Sequence, residues 1–179
     1  IKQINLFVTG VGNVGSKLID QLNSQKEYLQ SQLKPNIKVS GISNSRKMLI
    51  DANGIDLDNW NEVLDKSEKA VPSTFFEHIK NLNLRNSIFV DNTANEDIAH
   101  TYPPFLKSSI SVVTCNKIAA AETYEYYSHL KQLARTYNAS YLFETNVGAG
   151  LPIIDTLNHL ITSGDRVHTI QAILSGSLN

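Results

Sequence analysis

Residues 8–17 read VTGVGNVGSK and place glycines at 10, 12 and 15 directly after the apolar run Leu6-Phe7-Val8. An apolar helical repeat follows these glycines, so the loop lies between a predicted strand and a predicted helix. In this context the spacing G-x-G-x-x-G indicates a dinucleotide site. The first glycine makes the turn, the second admits a pyrophosphate and the third lets the helix pack on the strand. The alternative is a tight strand–helix turn without a ligand.

Further along the chain, predicted strands alternate with predicted helices. The pattern predicts strands over 4–9, 37–43, 87–91, 110–114, 140–143 and 167–174. Such alternation is typical of an α/β fold with a doubly wound parallel sheet. We also expect a short helix over 44–50, and a helix over 95–107 that breaks at Pro103-Pro104. Glycines and an alanine over 146–150 interrupt the pattern, so we predict a domain boundary that separates 1–147 from 148–179.

Composition excludes several classes of protein. The chain has 179 residues, 41% of them hydrophobic, and a net charge of −1, which gives no basis for binding nucleic acid or an anionic membrane surface. No apolar run approaches the roughly 20 residues of a membrane span. The single Cys115 excludes an internal disulfide and fits a cytoplasmic protein. The chain begins at Ile1 and ends at Asn179 just after an apolar run, so we expect a piece of a longer polypeptide.

The end of the second predicted strand bears on the cofactor. It reads Ser43-Asn44-Ser45-Arg46-Lys47, and no carboxylate appears before Asp51. An NAD-selective site places a carboxylate there, whereas Arg46 and Lys47 would attract the 2′-phosphate of NADP. We therefore predict NADP(H), with NAD(H) as the second choice. The alternative is that both cations lie on a solvated helix face.

Several segments together resemble the homoserine dehydrogenase family. They are FVTGVGNVGSKLIDQL (7–22), SGISNSRKML (40–49), VDNTANEDIA (90–99), VVTCNKIAAA (112–121), FETNVGAGLPIIDTL (143–157) and ILSGSLN (173–179). The second and fourth most resemble the form fused behind an aspartate kinase. The resemblance implies a Rossmann-like domain in an enzyme that interconverts L-homoserine and L-aspartate 4-semialdehyde, in threonine and methionine biosynthesis. The alternatives are another NAD(P)-dependent dehydrogenase of a small amino-acid aldehyde or ketone, and a non-catalytic nucleotide-sensing domain.

The resemblance also implies roles for residues at the strand ends. Thr93 would contact the nicotinamide side of the cofactor, or alternatively cap a helix; Lys117 would lie between cofactor and substrate, or alternatively be solvated. Asn116 is interpreted as shaping a turn. The full predicted cofactor set is Gly10, Val11, Gly12, Asn13, Val14, Gly15, Ser43, Asn44, Arg46, Lys47, Thr93 and Lys117.

Near the boundary, the resemblance implies a monovalent cation site, for Na+ or a similar ion. Its ligands would be Glu144, Val147, Ala149 and Leu151. The alternative is a glycine-rich hinge without an ion. The five histidines show no spacing typical of metal ligands.

The family places its acidic substrate residues and its proton-donor lysine further along, beyond Asn179. Within 1–179 we therefore assign no general acid, and we expect this piece to bind NADP(H) but to turn over little homoserine. Residues 148–179 would begin an α+β domain that binds the substrate and dimerises. We thus expect a homo-oligomer.

Overall fold

The computed structural model describes residues 3–33 and 35–173. A mixed sheet of seven strands lies at their centre. The strand order is β4-β3-β2-β1-β5-β6-β7. The strands are β1 (Gln3–Thr9), β2 (Asn36–Ser43), β3 (Lys47–Ile50), β4 (Glu68–Lys69), β5 (Ser87–Asp91), β6 (Ser111–Thr114) and β7 (Tyr141–Leu142). The helices are α1 (Asn13–Ser24), α2 (Lys26–Tyr28), α3 (Trp60–Asp65), α4 (Pro72–Leu82), α5 (Glu96–Ala99), α6 (Tyr102–Lys107), α7 (Ile118–Ala121), α8 (Tyr124–Thr136) and α9 (Ile153–Thr162). A π-helical turn covers Leu29–Leu33 and a 3-10 turn covers Glu144–Asn146.

The doubly wound parallel arrangement is confirmed for five neighbouring strands. β2, β1, β5, β6 and β7 run parallel, and β1 lies between β2 and β5. From β1 the chain first proceeds to β2 on one side and later returns to β5 on the other. The connections after β1 and β5 therefore diverge and leave a crevice at the carboxyl ends of these strands, where doubly wound sheets bind ligands.

The predicted helix over 44–50 is wrong, because these residues form a turn and the antiparallel strand β3. The Asn44 carboxamide oxygen accepts hydrogen bonds from the backbone N–H groups of Arg46, at 2.8 Å, and Lys47, at 2.7 Å. Such side-chain bonds stabilise a turn in place of a helix. β3 then pairs with the otherwise open edge of β2, and Met48 is buried there.

Apolar side chains cover both faces of the sheet. On one face Ile19 of α1 and Leu64 of α3 are fully buried against β1 and β2. On the other face a larger core brings together Phe75 of α4, Phe105 of α6 and Leu130 of α8. The crevice at the carboxyl ends is therefore held by helices packed on both sides.

Two further boundaries differ from the sequence prediction. Residues 95–107 form two helices that separate at His100-Thr101, since Pro103 and Pro104 occupy the first turn of α6, where a proline is tolerated. No strand forms over the described part of 167–174, which ends at 173; Leu174 lies outside the described residues. A strand requires a partner for its backbone groups, and residues 163–173 are exposed.

Within residues 3–33 and 35–173, no helix is both long enough and apolar enough to cross a bilayer.

Candidate functional site

Four polar residues end the central parallel strands at one level. Ser43 pairs in register with Thr9, Thr9 with Asp91, and Asp91 with Thr114. All four are buried, and we refer to them as the polar row. The hydroxyls of Thr9 and Ser43 are hydrogen-bonded at 2.9 Å. The polar row forms the floor beneath the loops that follow these strands.

The three glycines of the loop after β1 meet different surroundings. Gly10 has φ +86°, and a Cβ there would lie 2.8 Å from Cγ2 of Thr93. A Cβ on Gly15 would overlap the carbonyl oxygen of Gly10. At Gly12, by contrast, a Cβ would meet no described atom within 4 Å. Packing therefore explains Gly10 and Gly15, whereas Gly12 borders open space.

The amino end of α1 presents backbone donors beside this open space. Gly12 is the N-cap, and among the described residues no side chain caps the helix and no acidic residue lies in its first turn. The first N–H groups of a helix have no partner within the helix, so those of Asn13, Val14 and Gly15 are available. These donors and the helix dipole favour an anion.

A cavity of about 520 Å³ extends along the crevice from the glycine loop. Gly12, in the loop after β1, and Thr93, in the loop after β5, both border this cavity. Ser45 borders it in the turn after β2. Phe75 and Phe105 give it an apolar wall. An elongated ligand with a charged middle and flat aromatic ends would match this lining.

In the segment after β2, the two predicted cations, Arg46 and Lys47, have different surroundings. Ser45 borders the cavity and the following residue, Arg46, is exposed. The Lys47 ammonium instead donates to the backbone oxygen of Ser67 at 2.7 Å. The structure thus leaves the Arg46 side chain exposed, next in sequence to a residue that borders the cavity, whereas the Lys47 ammonium is held by Ser67.

Thr93 and Lys117 follow neighbouring strands, as predicted. The Thr93 hydroxyl accepts from the backbone N–H of Asn95 at 3.2 Å, but Asn95 itself caps α5 by accepting from the N–H of Ile98 at 2.9 Å. The capping alternative for Thr93 is therefore wrong, and Thr93 borders the cavity. Lys117 is exposed and immediately precedes α7.

Sequence reasoning missed a buried network centred on Asp91. The Tyr102 hydroxyl donates to Oδ2 of Asp91 at 2.6 Å, and the side-chain amide of Asn116 donates to the same oxygen at 3.1 Å. Burial raises the pKa of Tyr102 far above its ordinary value, and the adjacent charge of Asp91 raises it further. Asn116 thus does more than shape a turn, because it ties the loop after β6 to Asp91. The feature of the sequence that could have indicated this network is a carboxylate at the end of an apolar strand.

The predicted cation ligands lie in the segment that leads into α9. Both carboxylate oxygens of Glu144 accept backbone N–H groups at the start of α9, from Ile154 at 2.9 Å and from Asp155 at 2.7 Å. Ala149 has φ +51°, and the carbonyl of Leu151 accepts from Ile153 at 2.9 Å. The remaining predicted ligand, Val147, is half-buried in the same segment. Glu144 therefore caps a helix, a role that the sequence did not indicate.

One histidine does lie among groups that bind metals. The imidazole of His100 is 2.7 Å from the carboxylate of Glu122, and Glu96 completes a group whose ligand atoms lie within 4.8 Å of one another. Spacing along the sequence missed this group because Glu122 lies 22 residues beyond His100. All three residues are exposed, and in this structure the His100–Glu122 contact joins the ends of α5 and α7.

Comparison with known proteins places these features in a family. The family model described as the homoserine dehydrogenase NAD-binding domain matches residues 10–144. The chain belongs to this family. It is 41% identical over 181 aligned positions to the bifunctional aspartokinase/homoserine dehydrogenase of Haemophilus influenzae, covering 99% of this chain and 22% of that protein. It is also 32% identical to the homoserine dehydrogenase of Schizosaccharomyces pombe, covering 98% of this chain and 47% of that protein.

A solved structure agrees with this assignment. A homoserine dehydrogenase mutant from a hyperthermophilic archaeon, in complex with NADPH, matches with a TM-score of 0.74 and 27% identity. The match covers 89% of this chain and 50% of the archaeal one. The chain thus spans about half or less of the length of these relatives.

The glycine loop generates a stability prediction. We expect Gly15→Ala to lower the free energy of unfolding by about 3 kcal/mol or more, because its methyl group would overlap the Gly10 carbonyl. Gly12→Ala serves as the matched control and should cost less than about 1 kcal/mol, the preference of a helix cap for glycine. Urea unfolding measures both values, and equal losses would contradict the distinction between the two glycines.

Proposed function

We propose that this chain is the NADP(H)-binding part of a homoserine dehydrogenase. The observation that carries the proposal is the open space at Gly12 beside the uncapped amino end of α1. A diphosphate fits there, since it accepts hydrogen bonds from free N–H groups and favours the positive end of the helix dipole. The cavity bordered by Thr93 and Ser45 then accommodates the two ends of the dinucleotide.

The proposed reaction interconverts L-homoserine and L-aspartate 4-semialdehyde. When bound, the nicotinamide cofactor supplies the hydride chemistry. Thr93 orients the nicotinamide end from its place beside the crevice. Lys117 lies at the same edge and offers a cation to a substrate carboxylate or carbonyl oxygen. The proton donor is expected beyond Asn179.

The preference for NADP(H) over NAD(H) is part of the proposal. Ser45 borders the cavity, the exposed Arg46 follows it in the chain, and Asp51 is the first carboxylate after β2, so the 2′-phosphate of the adenosine ribose is proposed to lie near Arg46. A guanidinium binds a phosphate through paired hydrogen bonds, whereas a carboxylate at this place would repel it. The NADPH complex of the archaeal relative is consistent with this preference.

The division into a cofactor domain over 1–147 and a second domain from 148 remains a proposal. It is supported by the last sheet strand, which ends at Leu142, and by α9, in which no residue is buried. We also propose a Na+ site at Glu144, Val147, Ala149 and Leu151, supported by a neighbouring acceptor: Oδ1 of Asn146 is buried without a hydrogen-bond partner among the described residues.

The assembly of the whole protein is proposed from its relatives. The bifunctional protein of Haemophilus influenzae supports fusion to an aspartate kinase. We further propose a homo-oligomer formed through the second domain, and a cytoplasmic location in keeping with the single cysteine, Cys115.

The diphosphate site is tested by a charge at Gly12. In the full-length protein, Gly12→Asp should weaken NADPH binding by at least about tenfold, because a carboxylate would occupy and repel the phosphate position. Fluorescence titration measures the affinity, and thermal unfolding verifies the fold. Tight NADPH binding by a folded Gly12→Asp variant would refute the site.

The cofactor preference is tested by a neighbouring pair of cations. We expect Arg46→Ala to reduce the preference for NADPH over NADH by about tenfold, the effect of losing one charge-assisted phosphate contact. Lys47→Ala is the matched control and should leave the preference unchanged, because the Lys47 ammonium is bonded to Ser67. The ratio of kcat/KM for the two cofactors measures the effect. An unchanged ratio in the Arg46 variant would remove the basis for NADP selectivity.

The enzyme reading is tested at Lys117. We expect Lys117→Ala to lower kcat/KM for homoserine in the full-length protein by about tenfold or more, since a cation that holds a substrate oxygen is lost. Lys107→Ala, at the end of α6, should retain full activity. Unchanged turnover in the Lys117 variant would favour the alternative of a nucleotide sensor.

A further inference from the structure

Asp91 is the most buried acidic residue at the carboxyl ends of the parallel strands. Its side chain is 0% exposed, and it ends β5 beside the crevice. Oδ1 accepts the backbone N–H of Thr93 at 2.7 Å, while Oδ2 accepts the Tyr102 hydroxyl at 2.6 Å and the Asn116 amide at 3.1 Å. One carboxylate therefore holds the loop after β5, the start of α6 and the loop after β6.

All of these partners are neutral. Within residues 3–33 and 35–173, no Lys, Arg or His forms an ion pair with Asp91. The N–H of Thr93 and the amide NH₂ of Asn116 can only donate, which suits a carboxylate that only accepts. Among the described residues, the negative charge is thus stabilised by hydrogen bonds without an ion pair, and in a buried site such a charge acts over a longer range than in water.

The position of this charge matters because the proposed function places the nicotinamide end of the cofactor near Thr93. Thr93, two residues beyond Asp91, would orient the nicotinamide end of the cofactor. The nicotinamide ring carries one positive charge when oxidised and none when reduced, so the two redox forms differ by one unit charge at this end of the site. A fixed negative charge beneath it interacts differently with the two forms.

We propose that Asp91 is a buried counter-charge that strengthens binding of NADP+ relative to NADPH. The inference rests on the proposed function. Asp91 acts through space and through Thr93, and is therefore a positioning and electrostatic residue. Its role differs from that of a purely structural tie, which would affect both forms of the cofactor alike.

The test compares two variants in the full-length protein. Asp91→Asn removes the charge and retains the size of the side chain, whereas Tyr102→Phe removes one hydrogen bond to Asp91 and retains the charge. In Asp91→Asn we expect the ratio of Kd for NADP+ to Kd for NADPH to rise by about tenfold, because the attraction between the buried carboxylate and the positively charged ring is lost. In Tyr102→Phe the ratio should remain that of the unchanged protein.

Calorimetric titration with each cofactor form gives both constants, and thermal unfolding verifies the fold of each variant. Equal weakening of both forms in Asp91→Asn, or the same ratio change in Tyr102→Phe, would overturn the inference and leave Asp91 a structural tie. If Asp91→Asn does not fold, Asp91→Ser removes the same charge, and Asn116→Lys neutralises it from the place where an amide now donates to Asp91.

The same titrations separate this inference from the proposed function. Binding of both forms with an unchanged ratio in a folded charge-removing variant defeats the counter-charge alone. Absence of binding of either form by the unchanged protein defeats both the proposed function and the counter-charge.

Discussion

The close approach of α1 to the end of β1 is the constraint on which the site depends. Only a residue without a side chain can lie at Gly15, because the carbonyl oxygen of Gly10 occupies the space of a Cβ. This contact holds the amino end of the helix directly over the end of the central strand. The free N–H groups of the first turn and the open space at Gly12 are consequences of that placement. The anion site is therefore built mainly from backbone, which explains how little side-chain chemistry it needs.

The polar row beneath the loops gives the site its rigidity. Buried polar groups are costly unless they are hydrogen-bonded, and here Thr9, Ser43, Asp91 and Thr114 all have hydrogen-bond partners. Because Asp91 accepts donors from several segments, the loops that carry Thr93 and Asn116 share one anchor. A displacement of either loop would leave a buried charge without a donor, so the two loops hold one arrangement.

Local features were predictable from the sequence and long-range ones were not. The strand over 4–9, the glycine loop and the beginning of the next helix were predictable from adjacent residues, and the order of alternating elements predicted a parallel sheet. The helix expected over 44–50 failed because the Asn44 side chain bonds its own turn and because the open edge of β2 was available for pairing. The network of Asp91 and the capping by Glu144 join residues that are 10 to 25 positions apart, a separation at which spacing carries no signal. Lys47 was assigned from its charge alone, which cannot reveal that Ser67 is its acceptor.

The two edge strands of the sheet have a consequence for association between molecules. An exposed strand edge is a template for pairing with another molecule, and long flat edges promote aggregation. Here both outermost strands, β4 (Glu68–Lys69) and β7 (Tyr141–Leu142), are only two residues long, and β4 consists of two exposed charged residues. Among the described residues, each margin therefore presents only a two-residue strand. The protein can therefore keep a wide hydrophobic sheet in its interior while offering its neighbours little opportunity for strand-to-strand association.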